Sequence, residues 1–117
     1  MINNVTLSGN LGHDPESRFY GEKNDQRLTT FSLAFRASKQ QTGWIRVVCF
    51  DRLAEIAEQQ LHRGARVVVM GALDQQYWEG SDGQQRNGFQ LIARNLEFIR
   101  IEGRSSNGGS PDNDVPF

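Results

Sequence analysis

Trp44-Ile45-Arg46-Val47-Val48-Cys49-Phe50-Asp51-Arg52-Leu53-Ala54-Glu55-Ile56-Ala57-Glu58-Gln59-Gln60-Leu61-His62-Arg63-Gly64 changes its periodicity halfway along. As far as Phe50 the residues alternate as a strand does, with successive side chains on opposite faces. One face is Ile45, Val47 and Cys49, small and apolar, suited to an interior. The other is Trp44, Arg46, Val48 and Phe50. From Leu53 onward the apolar residues Leu53, Ile56, Ala57 and Leu61 recur at spacings of three and four, the period of an amphipathic helix. Asp51 is placed to cap that helix. His62 and Arg63 would supply a basic last turn, and Gly64 a C′ glycine.

Strand-like sequence lies on both sides of this segment. Residues 4–12 alternate Val5 and Leu7, with Gly9 and Gly12 marking a bulge or bend. His13-Asp14-Pro15 reads as a turn, after which residues 17–20 resume the strand. Residues 28–36 alternate Thr29, Phe31, Leu33 and Phe35 against polar or small neighbours. Residues 37–43 read as a polar loop. Downstream, Val67-Val68-Val69-Met70 is strongly β-forming, and Gly71 marks another bend. Residues 89–101 are β-rich and shift phase near Asn95, which predicts a bulge. Ser81-Asp82-Gly83 predicts the turn of a long hairpin. Phe31, Phe89 and Phe98 fall on the alternation and are assigned to the core. The whole predicts an all-β chain: a five-stranded OB-fold barrel, read as antiparallel, with one helix between strands three and four.

A chain of 117 residues fits one domain, in which a modest core is often supplemented by subunit association. There is no apolar run long enough to span a membrane and no basic-then-apolar leader. The single cysteine excludes an intrachain disulfide, and a cytoplasmic, nucleoid-associated protein is the simplest reading. Net charge is −1, unlike the basic totals common among nucleic-acid binders. After Gly103, however, Arg104 stands alone against Asp112 and Asp114, so the preceding body is neutral and can still gather its arginines on one face. Residues 1–102 form the predicted domain. Residues 103–117 are small, polar and acidic until the last three, and are predicted to be disordered.

The face carrying Trp44, Arg46 and Phe50 is the candidate binding surface. Covering it with a neighbouring subunit is the alternative, but Arg46 in its middle makes a dry contact costly. Left open, the face lets bases stack on the rings while arginine meets phosphate. Trp78, on a polar hairpin arm with no apolar stripe around it, joins the candidates. Arg18, Arg36, Lys39, Arg52, Arg63 and Arg86 are the further candidates for phosphate contact, although singly each reads as a solvated charge.

Catalysis finds little support. His13 and His62 read as a turn residue and a helix-end residue, and Cys49 points to the core side. There is no Cys/His cluster for zinc and no phosphate-binding loop. No enzyme activity, cofactor or metal is expected.

Taken together, these patterns resemble those of bacterial single-stranded DNA-binding proteins. Asn4-Val5-Thr6-Leu7-Ser8-Gly9-Asn10-Leu11-Gly12-His13-Asp14-Pro15-Glu16-Ser17-Arg18-Phe19 looks like that family's first strand and Gly-x-Asp-Pro-Glu-x-Arg turn. Residues 44–57 with Arg63-Gly64 resemble its third strand and helix. Gly71-Ala72-Leu73 through Trp78, with Asp82-Gly83-Gln84-Gln85-Arg86, looks like its long hairpin. The resemblance implies a homotetramer that wraps single strands without sequence preference, with stacking by Trp44, Phe50 and Trp78. It also implies an acidic tail ending in Pro-Phe that recruits replication, repair and recombination proteins. Asp114, Val115, Pro116 and Phe117 match that ending, with valine where isoleucine is usual. The chain departs from the family's pattern in three places. Arg36-Ala37-Ser38-Lys39 stands where many members have a further tryptophan. The hairpin arm reads Asp74-Gln75-Gln76-Tyr77 rather than basic, and the linker is short. A primosomal scaffold with the same fold is the alternative function, and the tail favours the general binder.

Overall fold

A computed structural model describes residues 1–99. The domain boundary near residue 102 and the tail residues 114–117 lie outside the described residues. The elements are β1 (Val5–Leu11), β2 (Glu16–Tyr20), β3 (Gln26–Ser38), β4 (Gln41–Phe50), α1 (Asp51–Gln60), β5 (Arg66–Glu79) and β6 (Gln85–Phe98). One mostly β sheet of six strands runs β1-β5-β6-β4-β3-β2, with a further pairing between β1 and β3. The pairings β1–β5, β5–β6, β6–β4, β4–β3 and β3–β1 therefore return to their start, and β2 lies outside that circuit on β3.

The helix falls between the strands expected to flank it. The strand count differs, because residues 16–20 form a separate strand rather than resuming the first. Pro15 lacks the N–H that would continue a ladder, and β2 pairs with β3 alone from Glu16↔Thr30 to Tyr20↔Gln26. One pairing in the circuit is parallel rather than antiparallel, β4 with β6 at Arg46↔Gln90, Val47↔Leu91 and Val48↔Ile92. The expected loop over residues 37–43 is a tight turn, since β3 runs to Ser38 and β4 begins at Gln41. The phase shift near Asn95 is a bulge. Met70 pairs with Asn95 but Gly71 with Ala93, so Arg94 is the extra residue.

The closing of the circuit depends on β1 serving two partners. Val5 to Asn10 pair with β5, while Asn10 and Leu11 pair with β3. The strands meet at Gly9, where a Cβ would lie 2.0 Å from the Ala34 carbonyl oxygen. Asn3 extends the β1–β5 edge with its side-chain amide, donating to Leu73 O and accepting from Leu73 N, both at 2.8 Å.

Inside the circuit lie Leu11, Phe31, Leu33, Val47, Cys49, Val67, Val69, Leu91, Ala93 and Leu96, with Ala54 and Ala57 from α1 and Leu61 just after it closing one side. Thr29 ties this layer together, since its buried hydroxyl donates to Ala54 O at 3.0 Å and shares a hydrogen bond with Ser17 Oγ at 2.7 Å. Phe89 and Phe98 are exceptions to the predicted core: Phe89 is 55% exposed and Phe98 36%. Phe89 sits on the part of the β5–β6 hairpin that projects beyond the core, whereas Phe98 keeps the core-facing parity opposite Val67 but is the last residue of β6.

The helix ends also differ from expectation. Phe50 occupies the N-cap position without a side-chain cap, and Asp51 opens the helix with φ +54°. Aspartate is among the few residues that tolerate this left-handed conformation, which turns the chain sharply out of β4. The helix stops at Gln60 with no basic residue in its last turn, and the Leu61 N–H donates to Ala57 O at 3.0 Å. Gly64 (φ +87°) belongs to the following turn, where its N–H donates to Leu11 O at 2.9 Å. The long hairpin turns where expected, with Gly83 at φ +82° and its N–H on Gly80 O.

Two outcomes follow for stability. Gly9→Ala should cost about 1–3 kcal/mol or more, because backbone rather than a movable side chain blocks the added methyl; an unchanged melting temperature would contradict the close crossing. Burial pushes the Cys49 thiol from 9.0 up to about 12. Across that window the unfolded thiol ionises and the folded one does not, so its contribution to stability falls as pH rises. Urea titrations across the window should show Cys49→Ala losing stability less steeply than the parent chain.

Candidate nucleic-acid interface

Strand parity places the candidate residues. Directly paired residues in a sheet project to the same face. On β4, Trp44 pairs with Ala34, Arg46 with Ser32 and Phe50 with Leu28. Arg18 pairs with Leu28 on the other side of β3. Across the parallel pairing Arg46 matches Gln90, which in turn matches Asp74 on β5. The β5–β6 register then runs without interruption to Trp78↔Arg86. Trp44, Arg46, Phe50, Arg18, Trp78 and Arg86 therefore share the outer face of the sheet. Arg36, opposite Thr42, has the same parity, and Lys39 occupies the turn between β3 and β4. Arg52 and Arg63 lie elsewhere, on α1 and in the turn that follows it.

The rings on this face are available to a ligand: Trp44 is 58% exposed, Trp78 47% and Phe50 39%. Val48, expected on the same open face, does share its parity but is buried. It sits between Thr30 and Ile92 in the middle of the sheet, where flanking strands cover a small side chain while the longer Arg46 reaches past them.

Three adjoining depressions make a trough along the β2–β3–β4 part of this face. The first is lined by His13, Asp14, Glu16, Thr30, Ser32 and Arg46. The second shares Glu16, Thr30 and Arg46 with it and adds Ser17, Arg18 and Leu28. The third continues from Arg18 and Leu28 to Phe19, Tyr20 and Phe50. The trough thus presents two guanidinium groups along its length and an aromatic end. Tyr20 meets Phe50 edge to face, with centroids 6.4 Å apart and planes at 76°. Tyr20 was not among the residues singled out in the sequence, although its spacing of two from Arg18 carries the signal once β2 is recognised as a strand.

Charge on the face is mixed. Asp14 and Glu16 line the trough beside Arg46, and Asp14 Oδ1 accepts from the Arg63 N–H at 2.7 Å. Asp74 Oδ2 accepts from Gln90 Nε2 at 3.0 Å. Arg86 pairs with Asp82 at 2.9 Å, both side chains about half exposed. An exposed pair of this kind contributes little to stability and can exchange its partner for a phosphate. The Arg27–Glu58 pair, with Arg27 stacked 5.3 Å from the Phe19 ring centroid, links β2 and β3 to α1 on the opposite side.

Among the described residues, no group of three or more His, Cys, Asp or Glu side chains is arranged to hold a metal ion. No helix of the described residues is long and apolar enough to cross a membrane. Cys49 is fully buried, and its raised pKa keeps it protonated near neutrality, the reverse of an activated nucleophile.

Residues 2–99 match the Single-strand binding protein family. A curated relative, a "Single-stranded DNA-binding protein" of Xylella fastidiosa (strain Temecula1), is 33% identical over 116 residues, which cover 92% of this chain and 68% of the relative.

Proposed function

The chain belongs to the single-strand binding protein family, and on that premise we propose that it binds single-stranded DNA without sequence preference, protects it, and brings replication, repair and recombination proteins to it. The observation that carries the DNA reading is the common face of Trp44, Arg46, Phe50 and Trp78. Stacking on exposed rings tolerates any base, because each base has a π-face, and the guanidinium groups follow the backbone. The trough from Arg46 through Arg18 to Phe50 is the path assigned to the strand. Arg36, Lys39 and Arg86 flank it as phosphate contacts, and Arg52 and Arg63 would meet DNA only if it continues around the helix side.

In this reading the closed circuit of β1, β5, β6, β4 and β3, with α1 between β4 and β5, is the OB barrel, and the working domain spans residues 1–102. The protein acts as a homo-oligomer, a tetramer. The exposed Leu73, Tyr77 and Phe89 support association, since they share the other face of the projecting β5–β6 arm. Residues 103–117 serve as linker and tail. Asp114 beside Val115, Pro116 and Phe117 offers a carboxylate and an aromatic ring together, which suits a partner pocket with an apolar floor and a basic rim.

Titration of tryptophan fluorescence with dT oligomers should show salt-sensitive quenching and tight binding, with much weaker binding to duplex of the same length. Equal affinity for duplex would overturn the reading. Trp44→Ala and Trp78→Ala should each weaken binding by about 1–3 kcal/mol at matched salt; if neither does, the site lies elsewhere. Deleting residues 114–117 should abolish partner recruitment while leaving the affinity for single strands unchanged or slightly higher, and a large loss of DNA affinity would place the tail in the binding site instead.

A further inference from the structure

The described glycines divide by what an added methyl would meet. At Gly9 and Gly71 it would lie 2.0 Å from a backbone carbonyl oxygen, of Ala34 and Ile92 respectively. The first is demanded by the approach of β1 to β3, the second by the bulge where β6 presses on β5. Gly12 and Gly88 are different. At Gly12 the three nearest atoms are all in the Trp44 indole, at 2.7, 3.0 and 3.8 Å. At Gly88 only the Trp78 indole comes within range, at 3.2 and 3.4 Å. Neither glycine has a positive φ, so the backbone at both positions accepts an L-residue. The Gly12 N–H donates to Ser32 O at 3.1 Å, a bond that alanine would keep. Phe35 covers Gly43 in a similar way, with Cζ 2.5 Å from the added methyl, but on the opposite face of the sheet, where covering a strand glycine is sufficient reason for it.

We propose that Gly12 and Gly88 are positioning residues for DNA binding: each leaves room for the outer Cζ3–Cη2 edge of a tryptophan ring to sit against bare backbone, which fixes how the ring is presented to a base. The inference rests on the single-strand reading above. Gly12 comes from the connection after β1, whereas Trp44 comes from β4. Gly88 lies on β6, paired with Gln76, two pairs along the ladder from Trp78↔Arg86. The two rings are thus seated by different elements, and neither seat is a side chain that could rotate away. A side chain at either position would push the indole edge out of its place. It would not disturb the barrel, because the obstructing atoms belong to the movable end of a surface side chain. The clash is harder at Gly12, below 3.0 Å, than at Gly88, so the effects should be graded.

The test is a double-mutant cycle on the full chain, read by dT-oligomer affinity at fixed salt, with melting temperature measured alongside. Gly12→Ala should weaken binding by about fivefold or more, the loss expected for one stack, with little change in melting temperature. In the Trp44→Ala background the same substitution should cost nothing further. Gly88→Ala should give a smaller loss, likewise absent in the Trp78→Ala background. Should Gly12→Ala fail to fold, the Gly88 and Trp78 cycle decides, because its clash is mild. Equal losses with and without the tryptophan, or no loss in either glycine variant, would overturn the seating role. If the parent chain itself does not bind dT, the single-strand reading fails instead, and if it binds but Trp44→Ala and Trp78→Ala do not weaken it, the assignment of the rings fails.

Discussion

The close approach of β1 to β3 at Gly9 is the constraint on which the remainder depends. A strand in an open sheet needs one neighbour at its edge, but β1 divides its length between β5 and β3. To change partners it must pass so close to Ala34 that no side chain fits at Gly9. That crossing turns a row of strands into a circuit, and the circuit separates an inside from an outside. Once the separation exists, the alternation of every strand acquires meaning. Ile45, Val47 and Cys49 face the core, while Trp44, Arg46 and Phe50 face away from it. The hydrogen bonds from Leu11 N to Ala65 O and from Gly64 N to Leu11 O anchor the same region to the turn after the helix, so the crossing is held from both sides.

The outer face owes its composition to this division. Bases need flat apolar surface and phosphates need cations, and a sheet can offer both only if its interior is already satisfied by other residues. Here the core is filled by residues of opposite parity, by Ala54 and Ala57 from the helix and by Leu61 at its C-cap. The half-exposed rings are therefore not required for packing. Acidic groups share the face, with Asp74 held by Gln90 and with Asp14 and Glu16 in the trough. Each of these carboxylates would oppose phosphate, so single-strand binding by this face, as proposed, would rest on its rings and on a few guanidinium groups rather than on a broad positive field.

Much of the architecture was legible in local pattern. The strand ending at Phe50, the helix after it, the hairpin turn at Gly83 and the bulge near Asn95 each follow from a few neighbouring residues, because periodicity and turn chemistry act over short stretches. The misreadings share a different cause. Phe89 alternates as a core residue does, yet the arm that carries it extends past the core. Val48 belongs to the exposed parity, yet flanking strands bury it. Asp51 and Gly64 have the residue types of helix caps, yet the direction in which the chain leaves β4 and rejoins β1 sets their roles.

The sequence by itself determined which residues could alternate, where the helix falls between strands, and that Trp44, Arg46 and Phe50 share one side of a strand. These properties need only the two-residue repeat of a strand and the 3.6-residue repeat of a helix. Only the tertiary structure decided that Trp78 and Arg86 join them on one face, that Tyr20 meets Phe50, and that the outer edges of the two tryptophan rings meet Gly12 and Gly88. Each of these depends on register between strands distant in sequence, above all the parallel match of Arg46 with Gln90. A shift of one residue there would move every side chain to the opposite face. That register is chosen by the packing of the closed core rather than by any local stretch of chain.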